Sequence, residues 1–250
     1  MNSKGVSEIV GYIIIFGIAI SAITTIYIHV NSMVNDAKED VRFESMLQGF
    51  RKIQDAVESV VYGKSTKKEV RIVLSGGTLQ VSSDANLNTR VIINNSTAFE
   101  STDILGGVEY RYPNYIMAFE NGGVWVKSFN KTTIMSNPRI FIYKKNVNNE
   151  TIVFVAITSI RGNGSTGGEG SVTLMFELNS AEINLFNQSG YLYMSINSSY
   201  ADAWKSYFDD LRGYTNNTVL QTNLSGSTLN ITMYFDRLVL AKYSISAGIQ

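Results

Sequence analysis

Hydrophobic and polar positions divide the chain into an apolar N-terminal stretch and a longer region of short alternating runs. From Ile9 to Asn35 there is no Asp, Glu, Lys or Arg, and apolar residues fill most positions. About 20 apolar residues in a helix are enough to cross the hydrocarbon core of a bilayer. This stretch therefore predicts a membrane-spanning helix, with the span at about residues 9–30.

The same helix is predicted to continue beyond the span, to about Tyr62. Between residues 34 and 61 apolar residues recur mostly at spacings of three and four, as in an amphipathic helix with one apolar stripe. We expect the C-terminal half of this stripe to pack against the chain's own β-rich region. Gly63-Lys64-Ser65 is interpreted as a helix end and turn, since a phosphate-binding loop would need glycine where the chain has Glu58.

From Val70 onward apolar and polar residues alternate in short runs, which is typical of antiparallel strands. Turns are predicted at Gly76-Gly77 and at Asn121-Gly122-Gly123, and the glycine-rich run Arg161–Gly170 is predicted to be a flexible hairpin loop. The predicted strands cover residues 70–74, 78–82, 90–94, 107–112, 115–120, 123–129, 139–144, 151–160, 171–178, 181–186, 190–197, 218–222, 228–235 and 238–246.

One short helix interrupts the predicted strands. Tyr200–Arg212 carries aromatic and apolar residues at helical spacing, with Ser198 or Ser199 as the expected N-cap and Gly213 as the expected end. The fold class is therefore α+β, with a long N-terminal helix followed by a mostly antiparallel, β-sandwich-like domain. We divide the chain into a leader (1–5), a helix (6–62) and a β-rich extracellular domain (63–250), which is one domain or two subdomains.

Composition excludes several classes of chemistry. The chain has no cysteine and one histidine, His29, which lies in the apolar stretch. Disulfides, zinc–thiolate sites and a Ser–His–Asp triad in the β-rich region are therefore excluded. The 21 basic and 21 acidic residues balance, so charge gives no attraction to nucleic acid.

An enzyme built from this composition would need paired carboxylates. The candidates show no spacing that indicates a shared site: Glu100, Asp103, Glu109, Glu120, Glu169 and Asp202. We therefore predict a protein that is not an enzyme, with no catalytic residues, no metal and no cofactor.

Asparagine is placed in a way that suggests a glycosylated exterior. The rule N-x-[ST] is met ten times, where residue abundance alone would give about four, and never in the first 90 residues. Asn-rich turns followed by Ser or Thr are the ordinary alternative. The candidate glycosylation sites are Asn94, Asn95, Asn130, Asn149, Asn163, Asn187, Asn197, Asn216, Asn223 and Asn230.

The residues before the span carry a resemblance to a known family. The run KGVSEIVG, which is Lys4, Gly5, Val6, Ser7, Glu8, Ile9, Val10 and Gly11, resembles position by position the processing site of archaeal type IV pilin-like proteins. The resemblance implies a class III signal peptide, cut between Gly5 and Val6 by a membrane prepilin peptidase. The motif covers eight residues, and the layout of a helix followed by β structure covers the rest more loosely.

The resemblance also implies an assembly role for Glu8, which would pair with the new α-amine of Val6 on a neighbouring subunit. The alternative is that Glu8 lies at the cytoplasmic interface, near the positive end of the helix dipole. Gly11 is a second assembly candidate because small residues permit close contact between helices.

The expected function is that of a pilin-like, membrane-anchored cell-surface structural protein, a minor or accessory subunit of a type IV pilus-like assembly. The alternative is a monomeric surface-anchored binding or adhesion module with an uncleaved signal anchor. Expected partners are the membrane, the prepilin peptidase, and other pilin-like subunits or copies of the chain itself, with no nucleic acid. We expect a single-pass protein with its N-terminus in the cytoplasm and most of the chain outside the cell.

Overall fold

A computed structural model of the chain describes residues 3–129, 131–145, 149–215 and 219–250, with the backbone alone for residues 3–9 and 214. Helix α1 runs from Ser3 to Val61, and helix α2 runs from Ala201 to Tyr214. The strands are, in chain order, β1 (Lys67–Ser82), β2 (Asn86–Ile93), β3 (Ser96–Ile104), β4 (Gly107–Tyr112), β5 (Tyr115–Glu120), β6 (Gly123–Ser128), β7 (Lys131–Ser136), β8 (Ile140–Lys144), β9 (Thr151–Arg161), β10 (Ser165–Phe186), β11 (Gly190–Asn197), β12 (Leu220–Ser225), β13 (Thr228–Phe235) and β14 (Arg237–Ile249).

The chain forms two compact units, Met1–Ser45 and Met46–Gln250. The first unit is the N-terminal part of α1, whose described side chains are nearly all exposed. The second unit begins within α1 and contains the last turns of that helix, α2, and the strands β1 to β14 that the described residues form.

The strands form two sheets. Nine strands lie in the order β7-β6-β5-β4-β1-β10-β14-β9-β8, and five lie in the order β12-β13-β11-β2-β3. Within the described part of the chain the pairings are antiparallel, except that β14 pairs in parallel with β9. The predicted α+β class with a mostly antiparallel, sandwich-like β region is therefore confirmed.

The main core lies between the two sheets and beneath α2. Leu192 and Met194 of β11 face this core, as do Trp125 and Val155 of the larger sheet. Helix α2 contributes Trp204, whose ring centroid lies 5.2 Å from that of Trp125. Two sheets that bury their inner faces against each other in this way form a β-sandwich.

The C-terminal part of α1 covers the opposite face of the nine-stranded sheet. Trp125 points into the core between the sheets, so its neighbours Val124 and Val126, which are also buried, point to the other face. On that face Gln54 of α1 donates a hydrogen bond of 2.8 Å to the carbonyl of Gly122. The predicted packing of the stripe against its own chain is therefore confirmed. Its buried apolar members are Met46, Leu47, Phe50, Ile53, Ala56, Val57 and Val60.

Two predicted breaks are wrong because β1 and β10 pair with each other along most of their length. The Gly76-Gly77 pair is an irregularity inside β1, between Ser75 and Thr78, and does not form a hairpin turn. The predicted flexible loop Arg161–Gly170 is largely the start of β10, where Gly167 lies opposite Thr78. It does not close a hairpin either, since β14 lies between β9 and β10 in the sheet order. Likewise the predicted strands 171–178 and 181–186 are one strand with an irregularity between Leu178 and Ser180.

Strands β3 and β7 were not expected from the sequence. Both lie at the edges of their sheets, β3 in the smaller and β7 in the larger. Most side chains of β3 are exposed or half-buried, so an apolar alternation is not required there. The turn before β3 consists of Asn94 and Asn95, which both adopt positive φ, as asparagine tolerates better than most residues.

The ends of α2 also differ from the prediction. Tyr200 occupies the N-cap position without a side-chain cap bond, so neither Ser198 nor Ser199 is the cap. The helix passes through Gly213 and ends one residue later, at Tyr214, with Thr215 as the C-cap. At the end of α1, however, Gly63 does adopt the left-handed conformation, with φ of 69°, as expected for a helix end.

Candidate functional site: the apolar helix and the buried carboxylate clamp

The N-terminal part of α1 is apolar on every side. The five consecutive residues from Tyr12 to Phe16 all have large apolar or aromatic side chains, and all five are exposed. Because consecutive residues turn by about 100° around an α-helix, these side chains point in all directions. Among the described residues this is the one helix long and apolar enough to cross a membrane.

Three hydroxyl side chains in this part of α1 form hydrogen bonds within the helix. The hydroxyl of Ser21 donates to the carbonyl of Gly17 (2.8 Å), that of Thr24 to Ile20 (2.9 Å), and that of Thr25 to Ser21 (2.9 Å). Hydroxyl groups bonded to the preceding turn carry no unpaired donor into an apolar surrounding. The helix is therefore chemically suited to hydrocarbon or to contact with other apolar helices.

The predicted processing residues all lie on the backbone of α1, which begins at Ser3. They are Lys4, Gly5, Val6, Ser7 and Glu8, and their side chains lie outside the described part of the structure. Gly11 is described, and a Cβ atom placed on it would meet no atom within 4 Å.

The predicted glycosylation sites lie on the surface wherever the structure describes them. The eight predicted sites that the structure describes are all exposed: Asn94, Asn95, Asn149, Asn163, Asn187, Asn197, Asn223 and Asn230. Asn130 and Asn216 lie outside the described residues. Asn223 and Asn230 are partners in register on β12 and β13, so their side chains share one face of the smaller sheet.

Two glutamates of the larger sheet hold the start of α2. Glu120 of β5 is buried, and its carboxylate accepts hydrogen bonds from Trp204 Nε1 (2.7 Å) and Ser198 Oγ (3.0 Å). Burial raises the pKa of Glu120 to about 7, against the opposing effect of these two hydrogen bonds. Ser198 Oγ also accepts a hydrogen bond of 3.0 Å from the backbone N–H of Tyr200, so it connects Glu120 to the residue before α2.

Glu109 of β4 forms the second half of this cluster. It accepts hydrogen bonds from the hydroxyl of Tyr200 (2.7 Å), from Gln80 (3.0 Å) and from Arg111, whose guanidinium nitrogen lies 2.7 Å away. Burial, together with the nearby Glu109, raises the pKa of Tyr200 above its usual range. We refer to Glu109, Glu120, Ser198, Tyr200 and Trp204 as the carboxylate clamp.

The carboxylate clamp has the composition of an acid–base site but not the space. The cavity lined by Glu109, Glu120 and Tyr200 has a volume of about 20 Å³, which is about enough for one water molecule. The carboxylate oxygens are already occupied by hydrogen bonds from α2 and its preceding residues. The arrangement therefore fixes α2 on the sheet, and it leaves no room for a substrate.

Of the six carboxylates weighed from the sequence, the structure brings only Glu109 and Glu120 into one cavity. Asp103 instead pairs with Lys242 at 2.9 Å, and Glu169 and Asp202 are exposed. Glu109 and Glu120 lie eleven positions apart in the sequence, and no sequence motif predicts that they meet. The sequence signal for Glu120 is a lone charge in the otherwise uncharged strand Tyr115–Glu120.

A comparison with protein-family models places the whole described architecture in one family. A model described as "Family of unknown function (DUF7289)" matches residues 4–247. The chain belongs to the DUF7289 family. The match begins at Lys4, so in this DUF7289 protein the KGVSEIVG run, the apolar helix and the β-rich unit fall within a single family match.

Relatives of this DUF7289 protein occur in Archaeoglobus fulgidus. One, named "Uncharacterized protein", is 27% identical over 273 residues, covering 89% of each chain. Another of the same name is 22% identical over 228 residues, covering 84% of this chain and 82% of the relative. Among solved structures, the crystal structure of ywiB protein from Bacillus subtilis is 10% identical, with 65% of this chain and 93% of that chain covered and a TM-score of 0.16.

Proposed function

We propose that this protein is a pilin-like, membrane-anchored cell-surface structural protein, a minor or accessory subunit of a type IV pilus-like assembly. The observation that carries the proposal is the division of α1. Its first part is apolar and exposed on every side, and its last turns are buried against an antiparallel sheet. One continuous helix thus offers an assembly or anchoring surface at one end and a fixed attachment to a folded domain at the other.

The sequence at the start of the helix supports the same proposal. The KGVSEIVG run resembles the processing site of archaeal pilin-like proteins, and the two relatives described above come from an archaeon, Archaeoglobus fulgidus. Cleavage after Gly5 by a prepilin peptidase would leave the apolar helix intact on the mature protein. Glu8 would then be the third residue of the mature chain, where it pairs with the α-amine of Val6 on a neighbouring subunit.

The proposed location follows from the composition of the β-rich unit. We place the N-terminus in the cytoplasm and the strands outside the cell, with N-glycans on the exposed asparagines. Eight of the ten sequons lie on described, exposed positions, as accessible acceptor sites require. The low share of charged residues, 17% against about 25% in typical soluble domains, also supports an exterior location.

The first test is the N-terminus of the mature protein, measured by intact mass and N-terminal sequencing of material from native membranes. We expect a chain that starts at Val6. Replacing Gly5→Leu should leave the full-length form, because the bulky side chain occupies the position before the cut. Gly17→Leu, outside the KGVSEIVG run and with open space where a Cβ would be, is the matched control and should be processed normally. Normal cleavage of the Gly5→Leu variant would contradict the pilin-type interpretation.

The second test separates a filament subunit from a simple anchored module. Material sheared from intact cells and the remaining membranes are analysed for the protein. Recovery of the processed chain in the sheared fraction supports an assembly role. A chain that starts at Met1 and is found only in membranes would instead favour the alternative, a monomeric surface-anchored binding module with an uncleaved signal anchor.

A further inference from the structure

The outer face of the five-stranded sheet carries a polar groove that the proposed assembly function does not use. Along β11, Leu192, Met194 and Ile196 point into the core between the sheets. The alternating residues Tyr193 and Ser195 therefore point outward. The groove over this face has a volume of about 610 Å³, which is within the range of small-molecule sites.

Residues in register form two rows across this groove. In one row Glu100, Arg90, Tyr193 and Thr232 lie on β3, β2, β11 and β13 as successive partners. The next row consists of Thr102, Asn88, Ser195 and Asn230 on the same four strands. The rows therefore present amide, hydroxyl and guanidinium groups side by side, at the strand spacing of about 4.8 Å.

Three tyrosines form an aromatic strip beside the rows. Tyr191 is 46% exposed, and its ring centroid lies 6.4 Å from that of Tyr193 and 5.6 Å from that of Tyr234. The guanidinium carbon of Arg90 lies 5.5 Å from the centroid of the Tyr193 ring. The hydroxyl of Tyr234 donates to Asp236 at 2.6 Å. These contacts hold the rings in place, so little conformational freedom is lost when a ligand binds.

The charge of the groove selects among ligand classes. Arg90 and Glu100 are the charged residues that line it, and they are partners in register with opposite charges. A single-stranded nucleic acid would need a basic channel beside the aromatic rings, which this balanced pair does not supply. The remaining polar groups are amides and hydroxyls, which both donate and accept hydrogen bonds.

We propose that this face binds a neutral oligosaccharide. Sugar rings present hydroxyl groups at their edges, which match the amide and hydroxyl rows, and C–H groups on their faces, which pack on tyrosine rings. The inference goes beyond the assembly role of α1, and it does not depend on whether the leader is cleaved. It assigns the β-rich unit a ligand of its own.

The oligosaccharide has two sources with the same chemistry. Asn230 is a predicted N-glycosylation site and also lines the groove, so a glycan of this chain would occupy the groove. A saccharide from another molecule is the other source. If the ligand is an external saccharide, added sugar should bind the protein with or without glycans. If the chain's own glycan fills the groove, added sugar should bind only the unglycosylated protein.

The test uses the detergent-solubilised full chain, made in a glycosylating and in a non-glycosylating host. Binding of neutral tetrasaccharides of glucose, galactose, mannose and N-acetylglucosamine is measured by calorimetric titration. We expect at least one to bind. Binding to both preparations indicates an external saccharide, and binding only to the unglycosylated preparation indicates that the chain's own glycan occupies the groove.

Variants separate the groove from non-specific binding. Tyr193→Ala should weaken binding about fivefold to tenfold through loss of ring packing. Asn88→Ala, an exposed position that does not bear on folding, should weaken it as well. Tyr143→Ala removes an exposed tyrosine on β8 of the other sheet and should have no effect. Absence of binding by all four sugars in both preparations, or unchanged binding in the Asn88→Ala variant, would overturn the proposal.

Discussion

At the scale of single residues, Glu120 is a carboxyl group in a buried environment. It is fully buried, and both of its partners, Ser198 and Trp204, belong to α2 or to the residue run before it. A neutral carboxyl is favoured in such a place because burial penalises the charged form. The raised pKa therefore makes the stability of the fold depend on pH.

The sign of this dependence is opposite to that of a carboxylate whose pKa is lowered by folding. The folded chain holds a proton on Glu120 up to about pH 7, whereas the unfolded chain releases it near 4.5. The contribution of Glu120 is therefore fully present below about pH 4.5 and is lost as the pH rises to about 7, by roughly 3 kcal/mol in total. Urea unfolding of the full-length protein at a series of pH values measures it.

The Glu120→Gln variant should lack this pH-dependent part, because an amide does not titrate. Glu169→Gln, at an exposed position, is the control and should retain the wild-type profile. The subtraction of one profile from the other removes the effect of Asp209 and Asp236, whose pKa values are lowered in the fold. Parallel profiles for wild type and Glu120→Gln between pH 4.5 and 7 would contradict the assignment.

At the scale of elements, α1 is one helix with two kinds of surface. Val57 is 2% exposed, and Val41, four and a half turns earlier in the same helix, is 69% exposed. Glu58 of the buried part also forms an ion pair with Arg139. The last turns thus belong to the folded unit.

We expect Val57→Ala to lower the free energy of unfolding of that unit by about 2 kcal/mol, from lost apolar burial and a residual cavity. Val41→Ala is the matched control, since it removes the same atoms from an exposed site, and should change stability by less than about 0.5 kcal/mol. Denaturant unfolding monitored by the buried Trp125 and Trp204 measures both. Equal losses in the two variants would show that the attachment of α1 is different from the one described.

Helix α2 provides a test of the corrected boundary. Gly213 lies inside the helix, is exposed, and has open space where a Cβ would be. Gly213→Ala should therefore stabilise the protein by about 0.5 kcal/mol, since alanine costs less entropy in a helix. Gly106→Ala is the contrasting change and should lower stability, because the φ of Gly106 is +58° and an added Cβ would lie 1.9 Å from the carbonyl oxygen of Ile160. A loss of thermal stability in the Gly213→Ala variant would indicate that the helix ends before this residue.

At the scale of the whole molecule, the absence of cysteine gives a direct test of orientation. A single Glu169→Cys substitution places a thiol on an exposed position of β10. A membrane-impermeant maleimide should label this variant in intact cells to the same extent as in lysed cells, if the β-rich unit lies outside. The wild-type chain is the control and should not be labelled. Labelling of the variant only after lysis would place the strands inside the cell.

Local patterns in the sequence were enough for the helices and for many strands. The charge-free stretch from Ile9 to Asn35 and the apolar stripe after it predicted α1, because helical burial repeats every three to four residues whatever lies opposite. β4, β5 and β13 have the predicted bounds, since each has strong alternation or clear turn residues on both sides. The edge strand β3 was not predicted because its side chains are mostly exposed and its alternation of apolar and polar residues is weak.

The sequence by itself determined the apolar helix, the amphipathic turns that follow it and the antiparallel character of the rest, because these depend on residues close together in the chain. Only the tertiary structure decided the sheet order, in which β14 lies between β10 and β9. It also decided that the glycine-rich start of β10 is a strand, since its pairing partner β1 lies about ninety residues earlier. Glu109 and Glu120 meet Tyr200 and Trp204 for the same reason: contacts between distant residues follow from packing, which no local pattern records.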